Sequence, residues 1–282
     1  MRFDSQKQNF FSRILMVLFV IFVIIKLQNN PPIIPILGFH GIIDTKIPAS
    51  QFAKASLHYP KKDLEKLIEY FIVHNYWFLT SQELYDFFLK KSEKIPEEHL
   101  RQKPILISFD DGYKTVHTNL LPILYKLEEK YGSKVKVVLF INPGTLAREG
   151  SIDSTHLRCE ELREGLEAGF YDIQSHGKNH KKLTNLATTR LVQELLEAQT
   201  ELRECTKDLD PEHQVASHLA YPYGAYNKLV KFYASKYYLS GYMYNNEILS
   251  YENLTDNYEI PRLRINRQTS VGELIEIVES AY

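Results

Sequence analysis

Strand and helix patterns that alternate along the chain, strands that are short and apolar throughout, and about 250 residues of globular chain predict an α/β domain on a parallel sheet. The strands fall at Ile33–Phe39, Ile105–Phe109, Val135–Ile141, Tyr171–Ser175, Ser217–Tyr221, Leu239–Tyr244 and Ile260–Ile265. Their richness in Ile, Val and Tyr suits strands covered on both faces. Between them lie helical patterns at Lys61–Asn75, Ser81–Lys91, Val116–Tyr131, Leu157–Ala168, Thr188–Lys207, Tyr226–Lys236 and Val271–Ser280. Thr80-Ser81-Gln82-Glu83 reads as a helix start, although Ser81 with Leu84 does not complete a capping box. The alternation leaves two forms open, a doubly wound sheet and a barrel. No internal repeat or low-complexity tract interrupts it.

The first 32 residues read differently. Ile14–Ile25 is an unbroken apolar run, ILMVLFVIFVII, and Phe10–Leu27 extends it to a window of about 18 residues and about 27 Å, close to a hydrocarbon core of about 30 Å. Arg2, Lys7 and Arg13 against Asp4 make the leading flank basic, which keeps that end cytoplasmic. KLQNNPPIIP follows, with no small-residue cleavage site, so an uncleaved signal-anchor is preferred over a cleaved signal peptide. The expected organisation is a flank, membrane helix and linker over residues 1–32, then a domain over 33–282 delivered outside the cytoplasm, anchored or secreted.

Composition excludes several classes. Thirty-four basic against thirty-five acidic residues give a net charge of −1, no footprint for a nucleic-acid backbone. Cys159 and Cys205 are too few for a disulfide scaffold or a four-thiolate metal site; they either form one bridge or stay free.

In parallel α/β architectures chemistry gathers at the C-terminal strand ends. Four ends here carry polar residues: Gly38-Phe39-His40-Gly41, Phe109-Asp110-Asp111-Gly112, Ser175-His176 and Tyr221-Pro222-Tyr223-Gly224. Adjacent carboxylates at a buried strand end repel, so Asp110 and Asp111 require a cation or a raised pKa. The bland alternative is an Asp-Asp-Gly turn capping the next helix. In SHGKNH, His176 and His180 stand four apart, a spacing that can place both imidazoles on one face of a helical turn. With Asp111 they make two nitrogens and an oxygen around open coordination positions, as in hydrolytic zinc and some iron sites. Tyr221–Gly224 reads either as a groove wall with backbone N–H groups facing a substrate or as a plain turn, and His40 either as functional or as a satisfied core histidine.

SFDDG at Ser108–Gly112, SHGKNHKKL at Ser175–Leu183 and YPYG at Tyr221–Gly224, in this order and spacing, resemble the polysaccharide deacetylases of carbohydrate esterase family 4 over most of residues 33–282. ILGFHGI further resembles the subgroup acting on β-1,6-linked poly-N-acetylglucosamine of biofilm exopolysaccharide. The resemblance implies a distorted (β/α) barrel of about seven parallel strands and a divalent metal, zinc first, with nickel, cobalt or iron as alternatives. It implies Asp111, His176 and His180 as metal ligands, Asp110 as general base, His40 as general acid and the Tyr223 N–H as oxyanion donor. Two departures stand out. The family's arginine two residues before the motif proline is Ala220, and the last strand, PRLRIN, lacks the late Leu-x-His motif. The first leaves the orientation of Asp110 to Arg262 or Arg264; the second leaves His40 as the evident acid.

The expected activity is therefore metal-dependent hydrolysis of N-acetyl groups on an N-acetylglucosamine polysaccharide. The membrane is a partner through residues 14–25, and nucleic acid is not a partner. The competing expectations are a peptidoglycan or chitooligosaccharide deacetylase and a non-catalytic carbohydrate-binding barrel.

Overall fold

A computed structural model describes residues 33–44, 56–151, 155–250, 254 and 256–282. The apolar run at 14–25, and with it the expected N-terminal helix, lies outside them. Among the described residues no helix is long and apolar enough to cross a membrane.

The strands are β1 (Ile36–Phe39), β2 (Ile42–Ile43), β3 (Tyr59–Pro60), β4 (Tyr76–Phe78), β5 (Lys103–Asp110), β6 (Val137–Ile141), β7 (Tyr171–Ser175), β8 (His218–Ala220), β9 (Ser240–Tyr242) and β10 (Leu263–Arg264). Seven of them run β10-β1-β5-β6-β7-β8-β9 in one parallel sheet, curled into a half-barrel, and β4 joins by pairing with β5. The β5 register explains the extra strand: β4 pairs its first residues, Lys103–Ile105, and β1 pairs Leu106–Phe109. The sequence reading omitted β4, whose three residues YWF are too few to show a period. The segment before β10 also reaches β9, with Met243 N–H donating to Ile260 O at 2.9 Å and Ile260 N–H to Gly241 O at 2.9 Å. One stretch thus pairs with β1 through β10 and bonds β9 just ahead of it.

Period-2 alternation sorts the strand side chains. Leu106, Val138, Phe140, Ala220 and Tyr242 pack in one cluster with Ile34, Ile36 and Ile260. Their strand neighbours Ile105, Ile107, Phe109, Val137, Leu139 and Ile141 pack in another, against the helices. The helices are α1 (Lys61–Val73), α2 (Ser81–Glu83, continued by a π-helical turn over Leu84–Leu89), α3 (Leu121–Tyr131), α4 (Cys159–Glu167), α5 (Thr188–Thr206), α6 (Lys228–Tyr237) and α7 (Val271–Glu279). The α2 start corrects the sequence reading. Thr80, not Ser81, is the N-cap, and with Glu83 it completes a reciprocal capping box. Cys159 on α4 and Cys205 on α5 form a disulfide, with Cα atoms 5.8 Å apart.

All sheet pairings are parallel, so the C-terminal ends of β1, β5, β6, β7, β8 and β9 open on one rim.

Candidate active site

The rim gathers its chemistry because two local rules are broken there. Along β5, alternation places Leu106, Ser108 and Asp110 on one face, and it should send Asp111 to the other. Instead Asp111 (φ 72°) and Gly112 (φ 71°) both adopt the left-handed region, which turns the second carboxylate back beside the first. His176 and His180 are likewise held by a loop after β7, not by a helical turn as their spacing suggests: Gly177 (φ 70°) and His180 (φ 52°) are left-handed and prevent helix. Two polar side chains hold that loop. Asn142, just past β6, donates from Nδ2 to the His176 and Gly177 carbonyls. Glu194 on α5 accepts from the Asn179 backbone N–H and from its Nδ2.

The result is one constellation. Asp111 Oδ1 lies 3.6 Å from His176 Nε2 and 3.2 Å from His180 Nε2. One ligand atom from each of the three side chains lies within 4.8 Å of the others, the one such His/Cys/Asp/Glu group among the described residues. His176 Nδ1 sits 2.7 Å from Ala220 O, and since a carbonyl only accepts, the proton is on Nδ1 and the Nε2 lone pair faces the carboxylates. Burial pushes the His176 pKa down to about 3 and lowers that of His180, so both rings are neutral near pH 7. Burial, with the charge of Asp110 adding to it, raises Asp111 to about 6. Asp111 Oδ1 is buried without a hydrogen-bond partner, although the Tyr113 hydroxyl bonds the same carboxylate. An orphaned buried oxygen facing two neutral imidazole nitrogens is a donor set that fits a divalent cation.

Asp110 stands beside this group, its Oδ2 3.8 Å from His176 Nε2, but it is committed elsewhere. Arg262 grips it as a fork, Nη1 to Oδ1 at 2.7 Å and Nη2 to Oδ2 at 2.9 Å, and Nη1 also donates to Ser108 Oγ at 3.1 Å. Both partners are fully buried. Burial alone would raise the Asp110 pKa; the Arg262 charge and its paired hydrogen bonds instead hold it well below the usual carboxylate range. Of the two arginines the sequence left open, the structure selects Arg262, while Arg264 is exposed and lies over the Tyr244 ring at 5.0 Å. Ala220, at the family's arginine position, contributes the carbonyl that orients His176.

His40, at the end of β1, is buried with an unpartnered Nδ1. Its ring stacks on Tyr244 with centroids 6.1 Å apart, and burial lowers its pKa against the opposing charges of Asp110 and Asp111. Tyr223 is left-handed (φ 62°) and exposed, its ring 4.6 Å from that of His180. All six residues singled out from sequence therefore meet on one rim. Tyr244 was missed: its hydroxyl donates to Asp110 Oδ2 at 3.0 Å from 134 residues away, and no local motif marks it.

Comparison with known proteins agrees with this architecture. The family model for polysaccharide deacetylase matches residues 97–241. YxkH of Bacillus subtilis, which carries the family's name, is 28% identical over 201 residues, covering 71% of this chain and 60% of its own length. A poly-β-1,6-N-acetyl-D-glucosamine N-deacetylase of Staphylococcus aureus is 27% identical over 175 residues, 59% of this chain and 54% of the relative. The chain thus spans little more than half the length of these relatives. Among solved structures, Streptococcus pyogenes deacetylase PplD in complex with acetate superimposes with a TM-score of 0.72 at 23% identity, covering 88% of this chain and 98% of that one. IcaB from Ammonifex degensii gives 0.65 at 15% identity, covering 89% and 98%. More than half of the chain falls within the matched family model, and the chain belongs to the polysaccharide deacetylase family.

Proposed function

We propose that this domain is a metal-dependent hydrolase that removes N-acetyl groups from an N-acetylglucosamine polymer, a β-1,6-linked exopolysaccharide before peptidoglycan or chitooligosaccharides. The observation that carries the reading is the division of labour between neighbours. Asp111, His176 and His180 form a ligand set, while Asp110 is withheld from it by Arg262. The 27% identity to the Staphylococcus aureus enzyme supports the choice of polymer.

Asp111, His176 Nε2 and His180 Nε2 would hold the cation, with zinc proposed. When bound, it supplies Lewis-acid polarisation of the acetamide carbonyl and makes a water molecule more acidic. The chain's own groups do the rest. Asp110, kept ionised by Arg262, accepts a proton from the attacking water. The Tyr223 N–H donates to the oxygen that gains charge in the tetrahedral state, a contact worth about 3–4 kcal/mol when well placed. His40, whose pKa burial lowers, is neutral at rest and carries to the nitrogen, as the C–N bond breaks, the proton given up by the attacking water. Water is consumed, and acetate and a glucosamine unit leave. Each turnover adds a cationic amine to the polymer, which changes its adhesion to anionic surfaces.

The domain is proposed to work outside the cytoplasm, tethered through residues 14–25. The apolar run with its basic flank supports this, as does the Cys159–Cys205 bridge, since disulfides persist in oxidising compartments. The test is acetate release from β-1,6-linked poly-N-acetylglucosamine, peptidoglycan and chitooligosaccharides, each with and without chelator. Release that is fastest on the first and abolished by chelator is expected; release untouched by chelator removes the metal from the mechanism.

A further inference from the structure

Tyr244 sits where four of the chain's motif segments meet. Its hydroxyl donates to Asp110 Oδ2 at 3.0 Å, the same oxygen that receives Arg262 Nη2 at 2.9 Å. Its ring lies 4.1 Å from the Arg262 guanidinium carbon and 5.0 Å from that of Arg264, and it stacks on His40 at an interplanar angle of 17°. Two motif glycines make room for it. A Cβ on Gly38 would stand 2.5 Å from the Tyr244 hydroxyl, and one on Gly224 would stand 2.8 Å from the Tyr244 backbone nitrogen. Neither glycine has a part in the chemistry proposed above; Gly38 makes room for the tyrosine ring, and Gly224, which is also left-handed (φ 64°), lies against the tyrosine backbone.

Acceptor geometry says what the hydroxyl does. A carboxylate offers about four lone-pair positions. Arg262 takes one on each Asp110 oxygen and Tyr244 takes another on Oδ2, which leaves a single position open. An arginine fork fixes the carboxylate plane, yet a planar pair can still rock about the shared axis. A third donor from a different segment, its ring wedged between Gly38 and Arg262, blocks that motion. The charge-assisted bond also leaves both Oδ2 lone pairs satisfied by protein donors.

We infer that Tyr244 is a positioning residue for the reaction: it locks the Asp110 carboxylate in the one orientation that leaves a single oxygen lone pair facing the attacking water. The inference rests on the hydrolase reading. It predicts a loss in the chemical step with binding intact, because the hydroxyl points at Asp110 and not at the ligand set.

The test uses the full chain loaded with zinc and measures acetate release from β-1,6-linked N-acetylglucosamine oligomers. Tyr244→Phe keeps the ring and deletes one hydroxyl. It is expected to lower kcat on the order of tenfold with KM and bound zinc unchanged. Unchanged kcat in an active preparation, or a loss confined to KM or to zinc content, overturns the assignment. Should Tyr244→Phe not accumulate folded, Gly38→Ala asks the same question from the opposite side. Its methyl displaces the phenol, so it should lower kcat with zinc retained, and a wild-type kcat in that variant overturns the assignment too. A wild type that releases no acetate from any acetylated polymer is a different result: it removes the hydrolase reading, and the tyrosine's role falls with it.

Discussion

Arg262 and Asp110 are 152 residues apart in sequence and meet as a fully buried two-point ion pair, with Nη1–Oδ1 at 2.7 Å and Nη2–Oδ2 at 2.9 Å. Phe140 and Tyr244 flank the guanidinium at 4.9 and 4.1 Å, so it is held by aromatic rings as well as by the carboxylate. A buried pair of this kind contributes little net stability over an apolar replacement, but removing one member strands the other. Arg262→Met should therefore destabilise the fold by about 3–5 kcal/mol, read from the denaturant midpoint. Arg262→Lys supplies the charge without the fork and should keep most of the stability while losing turnover, seen by comparing the two variants in acetate release.

Asp110→Asn leaves the ligand set intact and removes the proposed base. Metal content by elemental analysis should match the wild type, while turnover falls by about 10²–10⁴. His176→Ala should lose both. Near-normal acetate release from Asp110→Asn would place the base elsewhere.

The loop that carries His180 is clamped by Glu194 through the Asn179 backbone and side chain. Supports one step behind a metal ligand typically cost about 10–100-fold in affinity when removed. Glu194→Ala should weaken zinc binding by that factor in a competition titration, with far-UV circular dichroism unchanged. Wild-type affinity would mean the loop holds its shape without the clamp.

His218 gives the fold an acid-sensitive element well below the rim, at the start of β8. Its Nδ1 is 2.7 Å from Ser240 Oγ and its Nε2 is 3.1 Å from Gln82 Oε1, and burial pushes its pKa down to about 3. The unfolded chain protonates this ring near its ordinary value of 6.5, so between pH 6.5 and 3 the unfolded state binds the extra proton. The contribution is whole above pH 6.5 and drains away as pH falls towards 3. His218→Gln should thus show a shallower fall in melting temperature from pH 6.5 to 4 than the wild type. Parallel curves would assign acid sensitivity to other groups.

The bridge between Cys159 and Cys205 closes a loop with a sequence separation of 46. Chain-entropy arithmetic for a loop of that size gives about 4 kcal/mol, near the top of the usual range of about 2–4 kcal/mol. Replacing both cysteines by serine should lower the unfolding free energy by that range while acetate release at 25 °C persists.

Much of this molecule could be read from one sequence because its signals are local. The β5 run PILISF and the Val137–Ile141 strand stand within two residues of where apolar runs place them, and the helix expected over Val116–Tyr131 is a π-helical turn at Val116–Leu120 running into α3. The residues at the rim were legible for the same reason: the strand-end rule and short motifs locate His40, Asp110, Asp111, His176, His180 and Tyr223 without knowledge of their partners. What escaped was either too short to have a period, as in β4, or dependent on contacts across the fold. Tyr244 lies in SGYMYNN, which has nothing to distinguish it until the chain brings it against Asp110. The choice between Arg262 and Arg264 was invisible for a related reason. Two residues apart, they differ only in that one enters the interior and the other faces solvent. The helical turn expected for His176 and His180 failed because spacing alone cannot report the backbone sign at Gly177 and His180.

Asp111, His180 and Tyr223 all hold a left-handed backbone that glycine would adopt without strain, at a cost on the order of 1–2 kcal/mol each. Such positions are where an engineer seeking a hardier protein would look to delete a side chain, and at these three the proposed chemistry needs one. Thermal robustness and catalytic competence therefore pull in opposite directions on the same three residues, and a stabilised descendant of this chain would have to find its gains away from the rim.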